Sequence, residues 1–450
     1  METQEKSIIE TLSQSVRRSV TLKLISIFVM MLLLMIPMAF VQSLIDEREE
    51  LRQSAVKEVS DKWANEQRVY GPVLTLPFNK EIVEDGKVKI VREEAHILPS
   101  VLSITGKIDP QSLHRGMYEV VVYGSVVSFS GSFDGIEKYT AEIKASRILW
   151  DEAFLTINIA DLRGIKQKVM VKWNDEEITV EPGSKIPEIA PSGVTVNKIF
   201  KAAPVSDAFD FSFDLQLQGS KHLGFIPLGK ETNVKLVSNW RDPSFTGSFL
   251  PDERTVNDAG FSASYKILEL NRNFPQFWTG NQNVASLPKS AFGVDLLLPV
   301  NDYQMSMRSA KYALLAIALT FLTFFLVEVF NKKKVHPFQY ILIGLALVLF
   351  YTLLISISEH TNFDLAYIIS SVSVIAMIGL YAKTIFNNLR QTLVLVLVLC
   401  LTYTFVYITL QLQDYALLIG SIGLTAILAF TMYITRNINW YELGSAKKGE

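Results

Sequence analysis

The chain has little cysteine, little histidine and no excess of charge of either sign, and each shortage closes a class of function. Its single cysteine, Cys400, lies inside a hydrophobic run, so no disulfide can form within the chain. Lys and Arg number 43 against 45 Asp and Glu, with no basic stripe, which argues against nucleic acid as a partner because phosphates demand clustered cations. His96, His114 and His222 are scattered, with no second ligand at metal spacing, and no His-Glu-x-x-His occurs. A Gly-x-Ser-x-Gly elbow and a Gly-rich phosphate loop are also missing. Ser286-Leu-Pro-Lys289 matches Ser-x-x-Lys, but proline disfavours the helical turn that would bring Lys to Ser, and the chain has no Lys-Thr-Gly. No catalytic residue, cofactor or metal site is therefore expected, and the chain reads as a non-enzyme. A membrane-embedded hydrolase built from scattered residues stays open as an alternative.

Long hydrophobic runs are what the chain has in quantity. Thr21–Ile45, Tyr312–Phe330, Phe338–Ile357, Phe363–Ala382, Thr392–Leu410 and Ala416–Ile434 each come close to the ~20 residues that span ~30 Å of hydrocarbon as a helix. The first is longer than the apolar core of a signal peptide, so it reads as a retained anchor, with Pro37 tolerated inside it. Lys and Arg fall before the first run (Lys6, Arg17, Arg18, Lys23), between the second and third (Asn331–Pro337), between the fourth and fifth (Lys383, Arg390) and after the sixth. The connections Ser358–Asn362 and Gln411–Tyr415 have none. The excess of cations on the inner side then predicts six spans, both termini cytoplasmic, and residues 46–308 outside, in the periplasm of a Gram-negative host.

The expected organisation is a cytoplasmic amphipathic segment at 1–20 (Ile8, Leu12, Val16 and Val20 at spacing four), a first span at 21–45, a periplasmic domain at 46–308, a five-helix block at 309–435 and a cytoplasmic tail at 436–450. The insert opens on a helical stalk over 46–68, within a run Ser43–Arg68 that has no Gly or Pro. Beyond it the period changes to two. Phe209–Gln218 alternates strictly, and Glu119–Phe129, Phe154–Ile159, Lys168–Trp173, Val234–Trp240 and Phe261–Leu268 do so more weakly. Glu84-Asp-Gly-Lys87 reads as a hairpin turn. The fold class is thus an α-helical multi-pass membrane protein with an inserted mainly-β, sandwich-like domain, expected to be antiparallel, with a Pro-rich connection Glu181–Pro204 that would divide two lobes if there are two.

Ionisable groups near the spans are the first candidates for function, since lipid penalises them unless they are paired or wet. Glu328 stands one turn before Lys332, which predicts an anchoring pair. Glu359, His360, Asp364 and Asp414 all map to the outer ends of spans. Either they line a polar pocket or proton path, or the carboxylates cap helix N-termini and the other charges are simply hydrated. In the insert, Trp240–Pro251, with Trp240, Pro243, Phe245 and Pro251, is the candidate surface, and reads equally as a packed turn.

Several segments together resemble the CreD family of bacterial inner-membrane proteins across nearly the whole chain. They are Gly71-Pro-Val-Leu-Thr-Leu-Pro77, Leu223-Gly-Phe-Ile-Pro-Leu-Gly229, Trp240-Arg-Asp-Pro-Ser-Phe-Thr-Gly-Ser-Phe-Leu-Pro251, Val300-Asn-Asp-Tyr-Gln304, Val335-His-Pro-Phe-Gln-Tyr340, Ser358-Glu-His360, Asp414–Gly420 and Thr435–Tyr441. Asn439 stands where many members have Asp, so a charge there is not required. The resemblance implies an inner-membrane protein tied to envelope integrity and envelope stress, without an established activity or assigned catalytic residues. The expected function is therefore non-enzymatic envelope maintenance, with the lipid bilayer and periplasmic or wall-associated proteins as partners. The alternative is a transporter or lipid-moving protein that uses the polar cluster at the outer face. A sensor would need an output domain that the short cytoplasmic segments do not hold.

Overall fold

The structure, a computed structural model, describes residues 20–84, 87–143, 147–296, 302–331, 335–412 and 415–436. It divides into two compact units, Met1–Arg52 with Val300–Glu450, and Gln53–Pro299. The amphipathic segment before Val20, the turn residues Asp85 and Gly86, and the tail after Arg436 lie outside the described residues.

The helices are α1 (Val20–Trp63), α2 (Ile136–Glu142), α3 (Asp302–Lys311), α4 (Ala313–Asn331), α5 (Pro337–Ser358), α6 (Phe363–Phe386), α7 (Leu389–Gln411) and α8 (Ala416–Thr435). Six of them, α1 and α4 to α8, are long and apolar enough to cross a membrane, as the hydrophobic runs predict. Helix α1 continues through Pro37 and buries Ile27, Met30, Leu34, Met38, Val41 and Ile45, one stripe at helical spacing. Gly344 on α5 admits Leu34, since a side-chain carbon there would clash with it. Helices α5, α6 and α7 are held by aromatic packing. Phe350 lies 4.6 Å from Tyr403 between ring centres, and the Tyr367 hydroxyl donates to the Tyr403 carbonyl at 2.8 Å. Caps end these helices where the sequence turns polar: His336 opens α5, Asn362 opens α6 and Asn388 opens α7, each accepting a backbone N–H. The cap of α6 is therefore Asn362 and not Asp364.

In the second unit the strands are β1 (Gln67–Glu84), β2 (Lys87–Ile97), β3 (Val101–Arg115), β4 (Tyr118–Asp134), β5 (Arg147–Ile148), β6 (Phe154–Ile159), β7 (Met170–Trp173), β8 (Glu176–Thr179), β9 (Glu181–Pro182), β10 (Gly193–Asn197), β11 (Ala208–Ser220), β12 (His222–Phe225), β13 (Glu231–Ser238), β14 (Pro243–Gly247), β15 (Glu253–Asn257), β16 (Gly260–Leu268), β17 (Phe277–Thr279) and β18 (Phe292–Leu296). They form two sheets. The larger runs β14-β18-β12-β1-β6-β10-β9, with β2, β5 and β17 attached beside β1, and the smaller runs β15-β16-β13-β3-β4-β11-β7-β8. Their facing sides share one core: Phe129 meets Phe225 at 6.3 Å and Tyr265 meets Phe292 at 4.8 Å across the sheets. Strand β11 alternates buried and exposed residues as its sequence predicts, whereas all of β6 is buried.

Three expectations need correction. The sheets are mixed, because β1 pairs with β12 and β3 with β13 in parallel. Parallel neighbours need a long connection, which the intervening strands supply. The Pro-rich stretch supplies β9 and β10 to the larger sheet, within one compact unit. The stalk helix stops at Trp63 rather than Arg68, because the backbone beyond it is claimed by other partners. The Asn65 N–H donates to Asp161 at 3.0 Å, and the Gln67 amide donates to the Asp161 and Gln218 carbonyls. The Asp161 carboxylate in turn accepts from the Arg163 guanidinium, which with the backbone N–H groups of Asn65 and Arg163 holds its carboxyl down at about 2.

Candidate functional site

Among the described residues, Glu359 and Asp364 do not share one network. Glu359, which caps the C-terminus of α5, makes long contacts with the Arg48 guanidinium at 3.5 Å and the Tyr303 hydroxyl at 3.4 Å. Asp364, in the first turn of α6, instead accepts from the Tyr407 hydroxyl at 3.0 Å and the Gln411 amide at 2.8 Å. His360 is exposed, and its backbone N–H closes the end of α5 on the Ile357 carbonyl. Asp414 lies outside the described residues. Glu359 and Asp364 thus tie together different helices, α1 and α3 to α5 in one case and α6 to α7 in the other.

At the opposite ends of these helices the arrangement is tighter. Glu328 on α4 is buried and pairs with Lys23 of α1. It also accepts the Val335 N–H at 3.1 Å and the Tyr340 hydroxyl at 3.3 Å. The partner expected from spacing, Lys332, lies outside the described residues. Lys23 stands 305 residues away in sequence, so no local signal points to it. One clue was available: a carboxylate near the end of an apolar run needs a cation, and Lys23 opens another such run.

In the second unit, Trp240 and Phe245 are half-buried and pack on the core, Phe245 meeting Phe261 edge-on at 5.7 Å. Pro243 starts β14, and Pro251 is half-buried ahead of β15. Within residues 240–257 the chain therefore supplies the edge strand of the larger sheet, β14, and then that of the smaller, β15. Every residue of β15 is exposed, and Leu250 between the two strands is 66% exposed. Among the described residues no strand pairs with the outer side of either, and two such edges in succession are the template that strand addition uses.

Two further sites, a half-buried histidine pair and a buried arginine, were not legible. His222 faces Asp295 across β12 and β18, Nδ1 to Oδ1 at 2.5 Å. No hydroxyl or thiol bonds to its other nitrogen among the described residues, so the pair is a tie between strands. Arg272 is buried and donates to the Phe274 carbonyl at 2.7 Å, the Leu228 carbonyl at 3.1 Å and the Gln276 side chain. Burial pushes its pKa down to about 10, which still leaves it charged at neutral pH. Among the described residues no three His, Cys, Asp or Glu side chains converge as metal ligands would.

His96 is also buried, 3.1 Å from the Thr75 hydroxyl and 5.5 Å from the Trp278 ring. Desolvation pushes its pKa down to about 4, so the fold holds it neutral. Relative to an unfolded value near 6.5, its contribution to stability is complete above about pH 6.5 and is lost as pH falls through about 4. Acidification from pH 7 to 4 is expected to cost up to about 3 kcal/mol through this residue. The drop in urea stability of wild type over that range should exceed that of His96→Gln by this amount, and equal drops would show that His96 is not the group.

The match to known proteins extends over both units. The family model described as "Inner membrane protein CreD" covers residues 19–441. The chain belongs to the CreD family. Inner membrane protein CreD of Escherichia coli (strain K12) is 32% identical over 433 residues, covering 94% of each chain. The CreD match therefore includes the six spans, both sheet edges and the residues around Glu328 and Glu359 alike. CreD is the name of a membrane protein and carries no reaction with it.

Proposed function

We propose that this is a non-enzymatic protein of the bacterial inner membrane that supports envelope integrity under stress. In this reading both termini are cytoplasmic, by the distribution of Lys and Arg about the spans, and the β-rich unit is periplasmic. There it contacts periplasmic or wall-associated proteins. The observation that carries the reading is the segment 240–257, which leaves an edge of each sheet open within one stretch of chain. The name of the Escherichia coli relative, an inner membrane protein, supports the location.

The test is site-specific photocrosslinking of the full-length protein in cells under envelope stress. A photoreactive residue at Leu250 or Val256, both exposed, should give discrete adducts. The same residue at Val88, 65% exposed but away from these edges, should not. No adduct at any position, or equal labelling at all three, overturns the reading. In a null strain challenged with detergent, Glu359→Gln with His360→Ala and Asp364→Asn should still seal the envelope. Leakage at the level of the null, with normal insertion, would favour the transporter instead.

A further inference from the structure

Within the membrane unit, α4, α7 and α8 leave a cleft of about 870 Å³ between them. Its walls include Leu322, Leu326, Leu397, Leu401, Ala426 and Phe430. The threonines that reach it offer nothing to a polar guest, because Thr323, Thr402 and Thr431 each donate to a carbonyl of their own helix at 2.8 Å. Whatever occupies the depth of this cleft is therefore hydrocarbon. Helix α8 is otherwise barely covered: Leu424, Leu428 and Phe430 are all more than half exposed.

The cleft is polar at one end only. Phe330 near the end of α4, Arg390 in the first turn of α7 and Ile434 near the end of α8 line it there, beside the basic connections of the sequence. The Arg390 guanidinium makes no ion pair or hydrogen bond among the described residues. On α4 the lining runs from Leu319 to Phe330, or about 16 Å at 1.5 Å per residue. That depth matches half of a ~30 Å hydrocarbon core, the reach of one acyl chain in one leaflet.

We propose that this cleft is a binding site for an anionic glycerophospholipid of the phosphatidylglycerol class. An acyl chain fills the apolar depth and Arg390 binds the phosphate. Basic pockets between membrane helices bind anionic headgroups in this way. An unpaired guanidinium selects net negative charge over a zwitterion, whose ammonium it repels, and so sets the lipid preference.

The experiment uses the full-length protein in detergent, stripped of phospholipid, with native mass spectrometry and thermal melting during titration with phosphatidylglycerol or phosphatidylethanolamine. Wild type should bind phosphatidylglycerol about fivefold more tightly or better, the expectation for one cation at the membrane surface. Arg390→Gln should reduce that preference to near unity while Arg390→Lys keeps most of it. Ala426→Trp, which fills the cleft and leaves Arg390 in place, should release both lipids, and Leu397→Trp provides the same test from α7. Equal binding of the two lipids by wild type, an Arg390→Gln variant that keeps the preference, or filled variants that still retain lipid would each overturn the proposal.

Discussion

Lys23→Met is expected to destabilise the membrane unit by about 3–5 kcal/mol, the cost of leaving a buried carboxylate without its cation. Glu328 is 7% exposed, and its remaining partners, the Val335 N–H and the Tyr340 hydroxyl, do not neutralise it. Glu328→Gln in the same chain should recover most of the loss, because an amide oxygen accepts those two donors and carries no charge. Removing both charges is thus milder than removing one. The reading is loss of helicity during denaturation of the purified protein in detergent, with all four members of the cycle compared. A single-variant loss of at most ~1 kcal/mol, the range of an exposed pair, would show that Glu328 is hydrated in place.

Arg272→Leu is expected to cost the β-rich unit a similar ~3–5 kcal/mol. The guanidinium donates to the Phe274 and Leu228 carbonyls and to Gln276, whose amide in turn donates to the Pro99 carbonyl. It therefore fastens the chain around residues 272–276 to the start of β3 and the end of the segment after β12. Leucine fills the volume and leaves these acceptors sealed from water, at about 1–3 kcal/mol each. Arg272→Lys should keep less than half of the stability, since an ammonium cannot serve the same fork of acceptors. Trp63, Trp150, Trp173, Trp240 and Trp278 all lie in this unit, with Trp440 the only other tryptophan. Urea unfolding followed by tryptophan fluorescence in the intact protein therefore reports mainly on it. An unchanged midpoint for Arg272→Leu would refute the role.

The elements that the sequence reveals are those whose pattern is local. Six hydrophobic runs became six membrane helices because lipid leaves the backbone no other partner. The alternation over Phe209–Gln218 became β11 because one face meets the core. Pairing is a different matter. Nothing near Val69 announces Phe225 as its parallel neighbour, and nothing near Glu328 announces Lys23. Strand β6 alternates only weakly, through Thr156 and Asn158, and both of its faces are buried, so its pattern does not say which face meets the core. Of the expected polar residues, Glu359 and Asp364 went to separate partners because helix contacts decide which side chains meet. The segment 240–257 was visible as unusual by its Trp, Pro and Gly content, yet its place at two sheet edges depends on strand order, which no short stretch encodes.

The order β18-β12-β1 in the larger sheet bears on how the protein is made. Strand β1 is among the first parts of its unit to leave the ribosome and β18 the last, with β12, their shared neighbour, between them. Until Phe292–Leu296 has been synthesised, β12 keeps one side unpaired, and β14, which pairs only with β18, has nothing to dock on. That side of the larger sheet must therefore wait incomplete until the last strand of the unit has been made. A premature stop shortly before β18 would then leave a chain anchored by its first span alone, with an unfinished sheet as a substrate for quality-control proteases.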